Sequence, residues 1–147
     1  MWRECECRAR DRRKPGRGTM TTRGGHFWIT PPEIKLQVRK LLGTDDWFDP
    51  CPYPRPEGWD ALSSSWRKPW YLNPPFLTAD GGGPMRFIRK AVDVGGPGAI
   101  IYPVNPATHF LLSAGAVLYP AGRVRWLEID TNAPMPSPGH CALAVLP

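Results

Sequence analysis

The sequence predicts an α/β domain with a mainly parallel sheet flanked by helices, and three observations carry that expectation. Segments of helical periodicity alternate with short apolar runs. One run, Ala99-Ile100-Ile101-Tyr102, is continuously apolar, as strands buried on both faces are. Two others, Trp47-Phe48 and Trp70-Tyr71-Leu72, each end in a polar residue followed by proline. Strands of doubly wound folds open into ligand-binding loops at such points.

The elements follow in order. Ordered chain is expected to begin near His26-Phe27-Trp28. Thr30-Pro31-Pro32-Glu33 reads as a helix start, with Thr30 as cap, Pro31 in the first helical position and Glu33 completing a capping box. Ile34, Val38, Leu41 and Leu42 then share one face, and Gly43 stops the helix. Trp47 to Cys51 reads as a short strand opening into a proline-rich loop, and Trp70-Tyr71-Leu72 as a second strand. Residues 77–83 contain three consecutive glycines and read as a mobile loop. Residues 84–94 form a helical pattern, with Phe87, Ile88, Ala91 and Val92 inward and Arg86, Arg89 and Lys90 exposed. Asn105-Pro106 begins a short helix through Ser113. Val117-Leu118-Tyr119, residues 124–127 and residues 141–146 read as further strands, with room for an antiparallel edge among them.

Composition sets the boundaries. With 147 residues the chain is one domain by length, and its 19 prolines and 15 glycines imply many turns and short elements. Residues 1–25 hold eight Arg and Lys against three acids, a charge of +5, whereas the other 122 residues hold eleven against ten, a charge of +1. Residues 1–25 therefore read as a disordered basic tail and residues 26–147 as the folded domain. The tail reads either as a phosphate-attracting arm or as a solvated leader, since Met20 offers an alternative start. Cys5, Cys7, Cys51 and Cys141 lack zinc spacing and read as free thiols of a reducing cytosol. With no long apolar run, the chain reads as soluble and intracellular.

The chemistry concentrates on Asn73-Pro74-Pro75-Phe76, directly after an apolar strand. Asn-Pro-Pro-aromatic at a strand end resembles the fourth motif of the amino-methyltransferases. The exocyclic nitrogen of adenine, which this resemblance implies as target, is a poor nucleophile because its lone pair is delocalised into the ring. Two acceptors on its two hydrogens favour a more tetrahedral nitrogen with an available lone pair. Asn73 supplies a side-chain oxygen and Pro74 a backbone carbonyl. The prolines bring no competing N–H and fix φ in advance, and Phe76 offers a flat apolar face to a base extruded from a duplex. Read alone, the tetrapeptide is equally a proline turn.

Order narrows that choice. Thr30-Pro31-Pro32-Glu33, then Asp49-Pro50-Cys51, then Asp60-Ala61-Leu62, then Asn73 to Phe76 is a series that resembles the amino-methyltransferases. From about Trp28 to the C-terminus the chain is most similar to the phage-type DNA N6-adenine methyltransferase family. The resemblance extends to Ile100 to Pro103 and to Gly122-Arg123-Val124. It implies a compact, Rossmann-like fold dependent on S-adenosylmethionine, with no metal and no separate target-recognition domain. It implies double-stranded DNA as partner, in the cytoplasm of a bacterium or of a phage-infected host cell. Asn73, Pro74, Pro75 and Phe76 would be catalytic. Thr30 and Pro31 would meet the cofactor's methionine carboxylate. Asp49 and Pro50 would lie under the methionine moiety near its ammonium, and Asp60 would accept from the cofactor's adenine amine. Thr30 reads equally as a plain cap, Asp49 as a turn residue and Asp60 as a solvated loop acid. Arg86, Arg123 and His109 would touch DNA, with base specificity from residues 77–84, 105–109 and 130–140. Trp59 and Trp66 are the expected stacking tryptophans, and Trp28, Trp47, Trp70 and Trp126 the core ones. The proline-packed segment from Cys51 to Pro56 stands where many relatives carry a glycine-rich loop. Methylation of cytosine N4, RNA or a protein amide shares the same chemistry. A degenerate fold that only binds nucleic acid is the competing class.

Overall fold

A computed structural model of the chain describes residues 28–76, 82–135 and 139–147. The expected tail, most of the triple-glycine loop and part of the 130–140 loop lie outside the described residues. Helix α1 (Pro32–Leu42) follows the apolar periodicity, burying Ile34 and Val38, and Gly43 ends it with φ 72°. Strand β1 (Trp70–Leu72) leads through helix α2 (Met85–Val94) to strand β2 (Gly98–Pro103). Helix α3 (Ala107–Ser113) leads on to strand β3 (Val117–Arg123), and strand β4 (His140–Leu146) closes the sheet. Just before Pro106, the N-cap of α3, the Asn105 side chain accepts from the Ala107 N–H at 2.8 Å.

The protein is a small α/β domain with a mixed four-stranded sheet in the order β1-β2-β4-β3. The expectation of a mainly parallel sheet is not met. β1 pairs with β2 in parallel, but β4 is antiparallel to both β2 and β3. Two antiparallel steps leave β3 running in the same direction as β1 and β2, so β4 is the one reversed strand of the four. The cause is the connection. α2 and α3 each return the chain for another strand in the same sense, whereas no helix is present among the described residues of the β3–β4 connection. Without a crossover element the chain turns straight back.

Two expected strands shrink to isolated bridges. Phe48 alone pairs with Trp70, in parallel, because Pro50 and Pro52 withhold ladder donors just beyond it. Leu127 bridges to Ile29 and Pro134. Alternate residues of the strands feed two cores. Trp70, Leu72, Ile100, Tyr102, Ala144 and Leu146 pack with α2 and α3 on one face. Tyr71, Ala99, Ile101 and Leu143 pack with α1, Val124 and Trp126 on the other. Gly98 admits this closeness: a Cβ there would stand 2.1 Å from the Trp70 ring. Among the described residues no helix is long and apolar enough to cross a membrane.

Candidate active site at the carboxyl rim of the sheet

Strand direction gathers the expected residues along one edge. β1 ends at Leu72 and releases Asn73, while Pro103 of β2 lies opposite Cys141, and Arg123 at the end of β3 opposite His140. The starts of α2, with Arg86, and of α3, with His109, leave from the same rim. Arg123 and His109 are exposed, but Arg86 is half-buried and lies over the Phe87 ring at 5.6 Å, so the expectation of an exposed Arg86 is corrected. Lys90 is also drawn in, donating to the Leu62 and Ser64 carbonyls and lying over Trp66. His109 sits on α3, within the helix expected from Asn105 through Ser113, and His140 stands at the start of β4.

The Asn73 side chain is held from outside its own loop. Its Nδ2 donates to the Trp28 carbonyl at 2.8 Å and to the Thr30 hydroxyl at 3.4 Å. The Trp28 carbonyl can only accept, which fixes which way the amide faces. The Asn73 Oδ1 is buried and has no hydrogen-bond partner among the described residues. Asn73 lines a narrow cavity of about 30 Å³ together with Pro74, Pro75, Phe76, Trp28, Ile29, Cys51 and Tyr53. That volume holds a water molecule or two rather than a nucleoside, so a larger ligand would lie across the mouth. Among the described residues no cation lines the cavity; the walls they form are aromatic, aliphatic and acceptor-bearing.

Phe76 is knitted into an aromatic cluster. It stacks on Tyr102 at 5.9 Å and 11°, with Trp28 at 5.0 Å and Trp126 at 6.2 Å. The exposed aromatic residue of the lining is instead Tyr53, which is 51% exposed and which sequence reasoning did not single out. Trp66, expected as a stacking platform, is a core residue whose Nε1 donates to the Ala61 carbonyl at 2.8 Å. Trp59 is tied to the Pro50 carbonyl at 2.9 Å and meets Phe48 edge-on.

The expected cofactor residues divide. Thr30 does not cap α1; Pro31 occupies that position, and the Thr30 hydroxyl instead meets the buried Tyr71 hydroxyl at 3.0 Å. Pro31 and Pro32 also remove two N–H groups from the helix start, leaving little there to hold a carboxylate. Asp49 sits exposed beside Cys51, whose N–H donates to it at 2.9 Å. Crowding by surrounding protein raises its pKa, opposed by that N–H and by Lys35. The Cys51 thiol, desolvated and next to Asp49, is pushed up to about 12, so it is no nucleophile at neutral pH. Asp60 spends itself locally. It accepts from the Leu62 N–H at 3.0 Å, and its pKa is lowered chiefly by that bond, with help from the Ser63 hydroxyl. Pro50 is fully buried.

Asp49 and the cation-free aromatic walls fit the ammonium and sulfonium of S-adenosylmethionine. Thr30 is engaged by Tyr71 and Asn73, and Asp60 Oδ1 by the Leu62 N–H. Among the described residues no His, Cys, Asp and Glu cluster is placed to hold a metal ion. No protein-family model, curated protein or solved structure matches the chain.

Proposed function

We propose that this chain is an S-adenosylmethionine-dependent methyltransferase of Rossmann-like ancestry, acting on the exocyclic N6 amine of adenine in double-stranded DNA. The observation that carries the reading is the Asn73 amide, with its donors engaged and its acceptor left over. A buried oxygen without a partner costs about 1–3 kcal/mol. A ligand N–H at that place recovers this cost, and adenine N6 brings two.

The residues act as follows. Asn73 Oδ1 accepts one amine hydrogen and the Pro74 carbonyl accepts the other, biasing the nitrogen towards a nucleophilic geometry. Pro74 and Pro75 hold those acceptors in place without offering donors that would compete. Tyr53 and the accessible part of Phe76 supply flat surfaces for an extruded base. Asp49 faces the cationic end of the methyl donor. S-adenosylmethionine, when bound, supplies an electrophilic methyl group on its sulfonium. Positioning then carries most of the rate enhancement. Arg86, Arg123 and His109 share the rim with Asn73 and would meet phosphates.

Support for the fold comes from β1, β2 and β3 running in one direction, joined by α2 and α3, with the site at their carboxyl ends. The test is incubation of DNA, RNA and protein substrates with S-adenosylmethionine, followed by mass spectrometry of the digests. N6-methyladenine from duplex DNA, absent with Asn73→Ala, is the expected product. Methylated cytosine, RNA or glutamine instead would reassign the substrate. The small cavity favours one second reading, a nucleic-acid-binding module that does not turn over. DNA binding with no rise in Tm on adding S-adenosylmethionine would select that reading.

A further inference from the structure

We infer that Thr30, backed by Tyr71, is a positioning residue for Asn73 rather than a cofactor contact. The inference rests on the methyl-acceptor role of Asn73 proposed above.

The Asn73 amide has two N–H groups and two acceptors facing them, the Trp28 carbonyl at 2.8 Å and Thr30 Oγ1 at 3.4 Å. Both acceptors come from the short strap that enters α1, more than 40 positions earlier in the chain. That strap is itself fixed. Ile29 exchanges backbone hydrogen bonds with Leu127 at 3.0 and 3.2 Å. The Trp28 ring packs on Phe76 and Trp126. Thr30 is buried, and its hydroxyl shares a 3.0 Å hydrogen bond with Tyr71, itself buried within β1 two residues before Asn73.

The consequence is directional. A half-turn of the Asn73 amide would set Oδ1 against the Trp28 carbonyl, two acceptors facing each other. Held as it is, the amide keeps Oδ1 as the one acceptor left over, beside the prolines that line the cavity. Thr30 contributes the second restraint, and Tyr71 orients the Thr30 hydroxyl so that a lone pair faces Asn73. When the Thr30 hydroxyl donates to Tyr71 and accepts from Asn73, it has no proton left for a carboxylate.

The test uses the full chain with Thr30→Val, which keeps the shape and removes the hydroxyl, and Thr30→Ser as the conservative rescue. In NMR of the 15N-labelled protein, both Asn73 side-chain amide protons should exchange slowly in the wild type. Thr30→Val should release one of them, and Thr30→Ser should restore its protection. In turnover, Thr30→Val should lower kcat by about 10- to 100-fold with KM for S-adenosylmethionine unchanged. Unchanged Asn73 protons in Thr30→Val, or a raised KM with kcat intact, would overturn the inference. Should Thr30→Val fail to fold, Tyr71→Phe removes only the backing hydroxyl and should weaken protection of the same Asn73 proton. An unchanged proton there would likewise overturn it. If the wild type transfers no methyl group to any substrate, the functional reading fails, while the amide-exchange result still decides the restraint on Asn73.

Discussion

The two loops that meet at the cavity treat their polar side chains in opposite ways. Asp60, in the segment before β1, turns back on its own backbone, its oxygen taken by the Leu62 N–H. Asn73, beyond β1, is gripped by residues from the far side of the chain, and its oxygen remains without a partner among the described residues. Asp49 stands between these extremes, with one backbone donor and a crowded setting. A polar group satisfied by its neighbours in sequence does local structural work. One held by distant groups, with bonding capacity to spare among the described residues, is a candidate for ligand binding.

The largest effect should come from breaking the second case. Asn73→Ala removes the acceptor and should lower methyl transfer at least about 100-fold, the scale seen when one positioned polar group is lost from a reaction centre. Single-turnover kinetics would read it. Asn73→Asp sharpens the contrast, because it keeps an acceptor but sets a carboxylate against the Trp28 carbonyl. We expect a stability loss of about 1–3 kcal/mol at neutral pH. The protonated acid can donate to that carbonyl, so the folded state raises this group's pKa. Its stability is therefore recovered at low pH and lost as pH rises through the folded pKa. Denaturant titrations at several pH values would follow it.

A smaller effect with opposite signs separates the two acids. The Asp49 pKa is raised by crowding, so its ionised form disfavours folding, and stability falls as pH rises through that pKa. Asp49→Asn should thus melt slightly higher than wild type at neutral pH and close to it in acid, while weakening S-adenosylmethionine binding. The Asp60 pKa is lowered by its hydrogen bonds, so its contribution is present above the unfolded pKa and lost as pH falls through the folded one. Asp60→Asn should melt slightly lower at neutral pH and leave cofactor affinity unchanged. Thermal melts at two pH values, with titration calorimetry, would check both.

Much of the fold was legible because burial and period agree. Ile34 and Val38 on α1, and Phe87, Ile88 and Ala91 on α2, are buried where the spacing puts them. The Asn73 loop likewise follows its strand. Strand direction was not legible. Residues 141–146 are apolar throughout and would be buried whichever way they paired, so the missing crossover helix decides the matter. Trp66 reads as a loop tryptophan until Lys90 and Trp70 are seen beside it. The role of Thr30 was hidden for the same reason. A Thr before two prolines reads as a cap, and nothing local announces a Tyr71 hydroxyl 41 positions away. Local rules find elements and turns, whereas the partners of buried polar atoms come from topology.

The central claim is that the Asn73 oxygen exists to accept an N–H from the substrate base. Its most direct test compares binding of two oligonucleotides that differ only at the target position, one carrying adenine and the other purine, which lacks the 6-amine. The wild type should bind the adenine oligonucleotide at least about tenfold more tightly, the worth of one buried hydrogen bond, and Asn73→Ala should reduce that preference to what the Pro74 carbonyl alone supplies. Equal affinity of the wild type for the two, or a preference undiminished in Asn73→Ala, would contradict the account.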